Sequence, residues 1–98
     1  MIATPASFEE RVLGVLRSLR RGDIVTYGEV AAEAGSPGAA RAVGNVQARS
    51  PDDVPWWRVV TSTGRLVPGH AAEQAGRLRA EGVRIVRGRV VVTRSQTS

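Results

Sequence analysis

The 98 residues carry a net charge of +5, and all fourteen basic residues are arginine. There is no cysteine, which excludes a disulfide framework, a thiolate nucleophile and a cysteine-held metal. No apolar run is long enough to cross a bilayer, and a chain of this length has material for one small core. An all-arginine basic set suits phosphates and base edges, because the planar guanidinium presents a fork of donors. A GC-rich coding sequence gives the same composition. The N-terminus lacks the basic-then-apolar layout of a signal peptide, so a cytoplasmic, nucleoid-associated protein is expected.

Ser7 followed by Glu10 is a capping-box pattern. Phe8, Val12, Val15, Leu16 and Leu19 then recur at helical spacing, which predicts a first helix that stops at Gly22. Ile24-Val25 is an apolar bridge too short to assign as a strand. Thr26 and Glu29 repeat the capping box, so a second helix opens at Tyr27, turns Val30, Ala31 and Ala34 inward, and stops at Gly35. Ser36-Pro37 pairs an N-cap residue with proline at the first helical position. A third helix is predicted from Pro37 to about Arg49, with Ala40, Val43, Gly44 and Gln47 along one side. Two short helices joined by Gly35-Ser36 have the layout of a helix-turn-helix, with Arg41 in the part that enters a groove. An ordinary helical hairpin with a solvated Arg41 fits the same pattern.

Ser50-Pro51-Asp52-Asp53 reads as a polar, solvated turn. Pro55-Trp56-Trp57-Arg58-Val59-Val60 follows and holds two of the four aromatic residues. Neighbours in an extended segment point to opposite sides, so one tryptophan is expected in the core and the other at a cavity or in solvent. Arg58-Val59-Val60 and Arg65-Leu66-Val67 flank Thr61-Ser62-Thr63-Gly64 as a small hairpin or a sharp turn. After the break at Pro68-Gly69, a fourth helix is predicted from Ala71 to Ala80, with Ala75 and Leu78 inward and Gly82 as stop. Val83 to Val92 reads as a hairpin around Arg87-Gly88, and Thr93 to Ser98 as a polar tail. The expected fold is α+β, mostly helical and winged-helix-like, in a single domain over 1–98 with its core at about 7–92. No obvious dimer stripe appears, so a monomer is expected.

Chemistry-bearing residues are few. His70 is the sole histidine and carboxylates do not cluster, so no metal or cofactor is expected. No serine has a histidine at a motif spacing, and no glycine-rich phosphate loop opens a helix. Tyr27 at a helix start, Arg41 on the next helix and Trp56 in a rigid loop suit pressing on a nucleotide, filling a gap in a base stack and lining a pocket. Core packing is the competing reading for Tyr27 and Trp56.

In order, Val25-Thr26-Tyr27-Gly28-Glu29-Val30-Ala31, Gly35-Ser36-Pro37, Ala39-Ala40-Arg41-Ala42-Val43-Gly44 and Pro55-Trp56-Trp57-Arg58-Val59-Val60 resemble the DNA-binding domain of the O6-alkylguanine-DNA alkyltransferases. The resemblance runs from about Phe8 to Val86, with a shorter loop before Pro55. The family's active-site motif reads Pro-Cys-His-Arg-Val. Trp56 stands at the alkyl-acceptor cysteine, Trp57 at the histidine, and Glu81 before Gly82 at the activating glutamate. An indole cannot replace a thiolate, so alkyl transfer at this position is excluded. Tryptophan at the cysteine position is the mark of the alkyltransferase-like proteins.

That resemblance implies a non-enzymatic sensor of O6-alkylguanine in double-stranded DNA. It implies docking in the minor groove, flipping of the damaged nucleotide, bending of the duplex and a flag for nucleotide excision repair proteins. Residue by residue, it makes Tyr27 the residue that rotates the target phosphate and Arg41 the one that fills the vacated stack. Ser36 and Ser62 become DNA contacts, and Tyr27, Pro55, Trp56 and Val59 the lesion pocket. The chain departs from most relatives in having Trp57 where they keep histidine and no arginine near Gly69. No counterpart of the alkyltransferases' N-terminal domain is expected. The competing functions are a sequence-specific helix-turn-helix regulator, an enzyme acting through other residues, and a degenerate domain.

Overall fold

A computed structural model describes residues 7–49 and 54–91, so the readings of 50–53 and 92–98 lie outside the described residues. Helix α1 (Phe8–Ser18) opens on the expected capping box: Glu10 N donates to Ser7 Oγ at 3.1 Å, and Ser7 N donates to the Glu10 carboxylate at 2.9 Å. It ends before Gly22, because Leu19 is extended and residues 20–23 form their own turn. There Asp23 takes the Arg20 N–H through its carboxylate at 2.7 Å and returns its own N–H to the Arg20 carbonyl at 2.9 Å. Such local side-chain bonds compete with helix continuation. Gly22 serves this turn at φ 89°.

Strand β1 (Val25–Thr26) runs directly into α2 (Tyr27–Glu33), whose capping box is again reciprocal. α2 closes with Gly35 N–H on the Ala32 carbonyl and Ser36 N–H on the Ala31 carbonyl, with Gly35 at φ 88°. This is a Schellman close, and it needs a residue free to adopt positive φ. Arg11 of α1 adds a 2.7 Å bond from Nε to the Ala34 carbonyl. α3 spans Ala40–Arg49 and does not start at Pro37. Gly38, at φ 92°, lies outside the right-handed helical region, so residues 36–39 form a separate turn bonded from Ala39 N to the Ser36 carbonyl. α1, α2 and α3 meet around Val12, Leu16, Val30, Ala31, Val43 and Val46.

The second half folds onto this triad through a short parallel ladder. Strand β2 (Val59–Val60) pairs with β1 in the register Val25↔Val59 and Thr26↔Val60. The expected turn at Thr61–Gly64 is present, closed from Gly64 N to the Thr61 carbonyl at 2.8 Å. The expected hairpin arms do not zip. Val59 and Val60 are buried and lie in register with β1 instead, while Arg65 bridges to Arg89. α4 (Ala71–Ala80) buries Gln74, Ala75 and Leu78, then closes like α2, with Gly82 at φ 88° and Val83 N–H on the Leu78 carbonyl. β3 (Ile85–Val86) and β4 (Arg89–Val90) form the expected antiparallel hairpin around Arg87 and Gly88. Both turn residues have positive φ, the geometry of a type I′ turn. Val60, Leu66, Ala75, Leu78 and Val90 form the second apolar cluster.

Two polar side chains tie α4 to the rest. Gln74 is fully buried and satisfied: its Oε1 accepts from Val67 N at 2.7 Å, and its Nε2 donates to the carbonyls of Val59 and Trp57 at 2.9 and 3.1 Å. Glu81, the C-cap of α4, accepts from Trp57 Nε1 at 2.8 Å, Arg58 Nη2 at 2.7 Å, Arg58 Nε at 3.0 Å and Gly22 N at 2.9 Å. Arg58 also donates to the Leu19 carbonyl at 3.0 Å. The Arg58 bonds, with lesser help from the Gly22 and Trp57 N–H groups and against the cost of burial, hold the Glu81 carboxyl down at about 2.

A carboxyl lowered on folding stabilises the fold above its unfolded value of 4.5, and that contribution fades as pH falls through about 2. Urea unfolding between pH 5 and 2 is expected to show this loss, and the Glu81→Gln variant a flatter acid slope. Glu81→Ala strands the Arg58 guanidinium and should cost about 3 kcal/mol at pH 7. A Glu81→Gln acid profile parallel to that of the parent chain would refute the assignment.

Candidate nucleic-acid interface

The Trp pair does not lie in an extended segment. Pro55, at φ −77° and ψ 66°, centres an inverse γ-turn in which Trp56 N donates to the Val54 carbonyl at 2.8 Å. Trp56–Arg58 then make a single 3₁₀ turn. The two indoles diverge as expected, though for this different reason: their planes stand at 89°, with centroids 6.3 Å apart. Trp57 turns toward the second cluster, donates to Glu81, and lies under the guanidiniums of Arg77 (4.6 Å) and Arg58 (5.2 Å).

Trp56 packs on the first cluster and also walls a cavity of about 330 Å³. Tyr27, Gly44, Gln47, Val67, His70 and Glu73 are among the other walls. That volume is at the small end of the range for ligand sites, roughly 300–1,000 Å³. His70 meets Trp56 edge-on at 5.8 Å. A second, wider concavity lies along the helix-turn-helix and includes Tyr27, Gly28, Arg41, Gly44, Thr61 and Ser62. Tyr27 and Gly44 line both hollows. A Cβ at position 44 would rest 3.9 Å from Tyr27 Cε1, so glycine keeps the wall thin where the two hollows meet.

The structure therefore brings Tyr27 and Trp56 together at the cavity and sets Arg41 and Ser62 on the adjoining surface. Arg41 is exposed and has no carboxylate partner among the described residues. Ser36 is half-buried in the turn between α2 and α3, where its N–H closes α2, and it lines neither hollow. Val59 and Pro55 do not form the cavity wall as expected. Val59 is 0% exposed because its pairing with β1 draws it into the first cluster, and Pro55 is spent on the γ-turn before the 3₁₀ turn. Glu81 lies behind Trp57 rather than in the cavity.

Gln47, Val67, His70 and Glu73 are cavity residues that the sequence reading did not single out for a site. For Gln47 a signal existed, since a polar side chain shares the helical side of Val43. Gln47 is only 6% exposed, yet its Nε2 reaches the Tyr27 hydroxyl at a long 3.4 Å and its Oε1 has no partner. Turning the amide over only exchanges which atom is stranded. Burial raises the Tyr27 phenol above its ordinary 10, partly offset by the Gln47 bond. Among the described residues, no three acidic or histidine side chains converge in a manner that could hold a metal.

The family described as "6-O-methylguanine DNA methyltransferase, DNA binding domain" matches residues 7–83. The DNA base-flipping protein of Escherichia coli (strain K12) is 42% identical over 83 residues, covering 81% of this chain and 64% of that protein. The DNA base-flipping protein of Vibrio parahaemolyticus is 35% identical over 82 residues, covering 80% and 82%. Among solved structures, S. pombe Atl1 in complex with damaged DNA containing O6-carboxymethylguanine superposes with a TM-score of 0.77 at 30% identity, covering 88% of each chain.

The chain has a single tyrosine, so its alkaline absorbance titration reads Tyr27 alone. The midpoint is expected above 10, and Gln47→Leu should move it higher by removing the bond that favours the phenolate. The same variant removes a stranded amide and should leave stability unchanged or raise it by about 1 kcal/mol. A midpoint at or below 10 would show that the phenol is not enclosed in this way.

Proposed function

Because this chain belongs to the family of 6-O-methylguanine DNA methyltransferase DNA-binding domains, we propose that it binds duplex DNA carrying O6-alkylguanine and takes the damaged nucleotide into the cavity beside Trp56, without repairing it. The observation that carries the proposal is the pair of hollows sharing Tyr27 and Gly44, one bearing Arg41 and Ser62 and the other walled by Trp56. An alkylated guanine pairs poorly, so extruding it costs less than extruding a normal base. In this reading Arg41, which lines the open concavity with Tyr27, fills the vacated stack from the minor groove, and Tyr27 presses the turned nucleotide toward the cavity. The wall of Trp56, Val67 and Gly44 is largely apolar and accommodates an aromatic ring with an added alkyl group.

Chemistry stops there for want of a nucleophile, and of a base at position 57. The chain has no thiol. Trp57 keeps a hydrogen bond to Glu81, but an indole N–H only donates and cannot take a proton. Glu81 is itself committed to Arg58. A lesion held in a complex that cannot turn over is a persistent mark, which we read as the signal for nucleotide excision repair.

Equilibrium binding at fixed salt to matched duplexes with O6-methylguanine or guanine tests this reading. A preference for the lesion of tenfold or more is expected, and Tyr27→Ala and Arg41→Ala should each remove about tenfold, or roughly 1.4 kcal/mol, with the fold intact. Equal binding to both duplexes would sink the lesion reading in favour of a general or sequence-specific DNA-binding domain. Trp56→Cys should still fail to accept a labelled alkyl group, and recovery of transfer would overturn the account of Trp57 and Glu81.

A further inference from the structure

The β3–β4 hairpin presents a charge problem that lesion binding does not use. The bonds from Val90 N to the Gly64 carbonyl and from Leu66 N to the Gly88 carbonyl flank the Arg65↔Arg89 bridge instead of joining it. That makes Arg65 and Arg89 a non-hydrogen-bonded antiparallel pair, the closer kind, with Cα atoms about 4.5 Å apart and side chains on one face. Directly opposed like charges are destabilising. Leu66 and Val90 are buried on the inner face, so both arginines stand on the outer one with Val86, which pairs with Arg89 and is 46% exposed. Arg84 and Arg87 are exposed in the same hairpin, and Arg87 is held at φ 54° at its tip.

Among the described residues, no carboxylate relieves this face. The sequence has no Asp or Glu from 54 to 72 or from 82 to 98. The acids at the ends of α4 are taken, Glu73 by Arg77 and Glu81 by Arg58. The fold thus gathers four exposed arginines and tolerates a repelling pair among them. Gly64, which anchors β4, also closes the Thr61–Gly64 turn that carries Ser62 onto the open concavity beside Arg41.

We propose that Arg65, Arg84, Arg87 and Arg89 form a second phosphate-binding surface, engaging the backbone of the same duplex beyond the segment held by the helix-turn-helix. It rests on the DNA-binding function proposed above and extends the footprint outward from the Ser62 turn. Phosphates would turn a repelling pair into a clamp, because two guanidiniums on one face bracket one anionic strand. The arginine stems would cover the exposed Val86. This surface carries no base information and acts on damaged and undamaged duplexes alike.

The test is the salt dependence of binding between about 50 and 200 mM, a range over which neutralised phosphates are resolved. The parent chain and the Arg65→Gln/Arg89→Gln variant are compared on the O6-methylguanine and guanine duplexes. Each phosphate no longer neutralised should make the slope of log K against log salt shallower by about 0.9, or roughly 1.8 for the double variant, equally on both duplexes. The ratio of lesion to undamaged affinity should not move, and the melting temperature should hold or rise as the repulsion is relieved. Arg65→Lys/Arg89→Lys should keep the parent slope. An unchanged slope in the folded Gln variant overturns the proposal and leaves the face to an acidic protein surface. A weakening confined to the lesion duplex overturns it as well. The lesion reading fails separately, on the parent chain, if the two duplexes bind equally. If the parent chain binds neither duplex, both readings fall.

Discussion

The Glu81 carboxylate is the constraint on which the rest depends. It stands at the C-cap of α4 and gathers donors from the α1–β1 connection through Gly22 and from the 3₁₀ turn through Trp57 and Arg58. Three segments far apart in sequence are thereby fixed at one point beside a small core. A buried charge is tolerated only when it is paired and hydrogen-bonded, and here every bond is supplied by a group the fold must place anyway. Orienting Trp57 toward Glu81 also orients Trp56, because one turn of 3₁₀ helix forces the two indoles apart.

A position that resembles a catalytic relay therefore acts as a structural anchor. The indole of Trp57 supplies a donor to the carboxylate and has no basic nitrogen. The carboxylate remains useful because Arg58 and the Gly22 amide use it, with or without chemistry at the neighbouring residue. Gln74 plays a similar part earlier in α4, satisfying backbone groups of Trp57, Val59 and Val67. With these fixed, the cavity is a gap between two clusters, walled by α3 on one side and by the start of α4 on the other.

The site shows how small residues and stranded polar groups share the work. Gly44 leaves Tyr27 thinly covered between the two hollows. Gln47 keeps an amide beside the Tyr27 hydroxyl at the cost of an unpaired oxygen. On the hairpin, Arg65 and Arg89 keep like charges opposed. Each is a local departure from the most stable choice, and all three sit at or next to the surface assigned to DNA, where such departures are expected to cluster.

Local signals were legible in the chain. Both capping boxes, the limits of α4 and the turn at Arg87-Gly88 follow from side chains within a few residues of one another, so the sequence alone determined them. The motifs around Tyr27, Arg41 and Trp56 likewise carried the resemblance to the family. What depends on distant partners was not legible. α3 starts at Ala40 because Gly38 takes a positive φ that Ser36-Pro37 did not announce. Val59 went to the core because its strand lies in register with β1, more than thirty residues earlier. His70 and Val67 reached the cavity through the Gln74 bonds, and the opposition of Arg65 to Arg89 came from an antiparallel bridge between segments that sequence spacing keeps apart. Caps and turns are settled by neighbours along the chain, whereas pairing, burial and charge opposition are settled by whichever segments the closed core brings together.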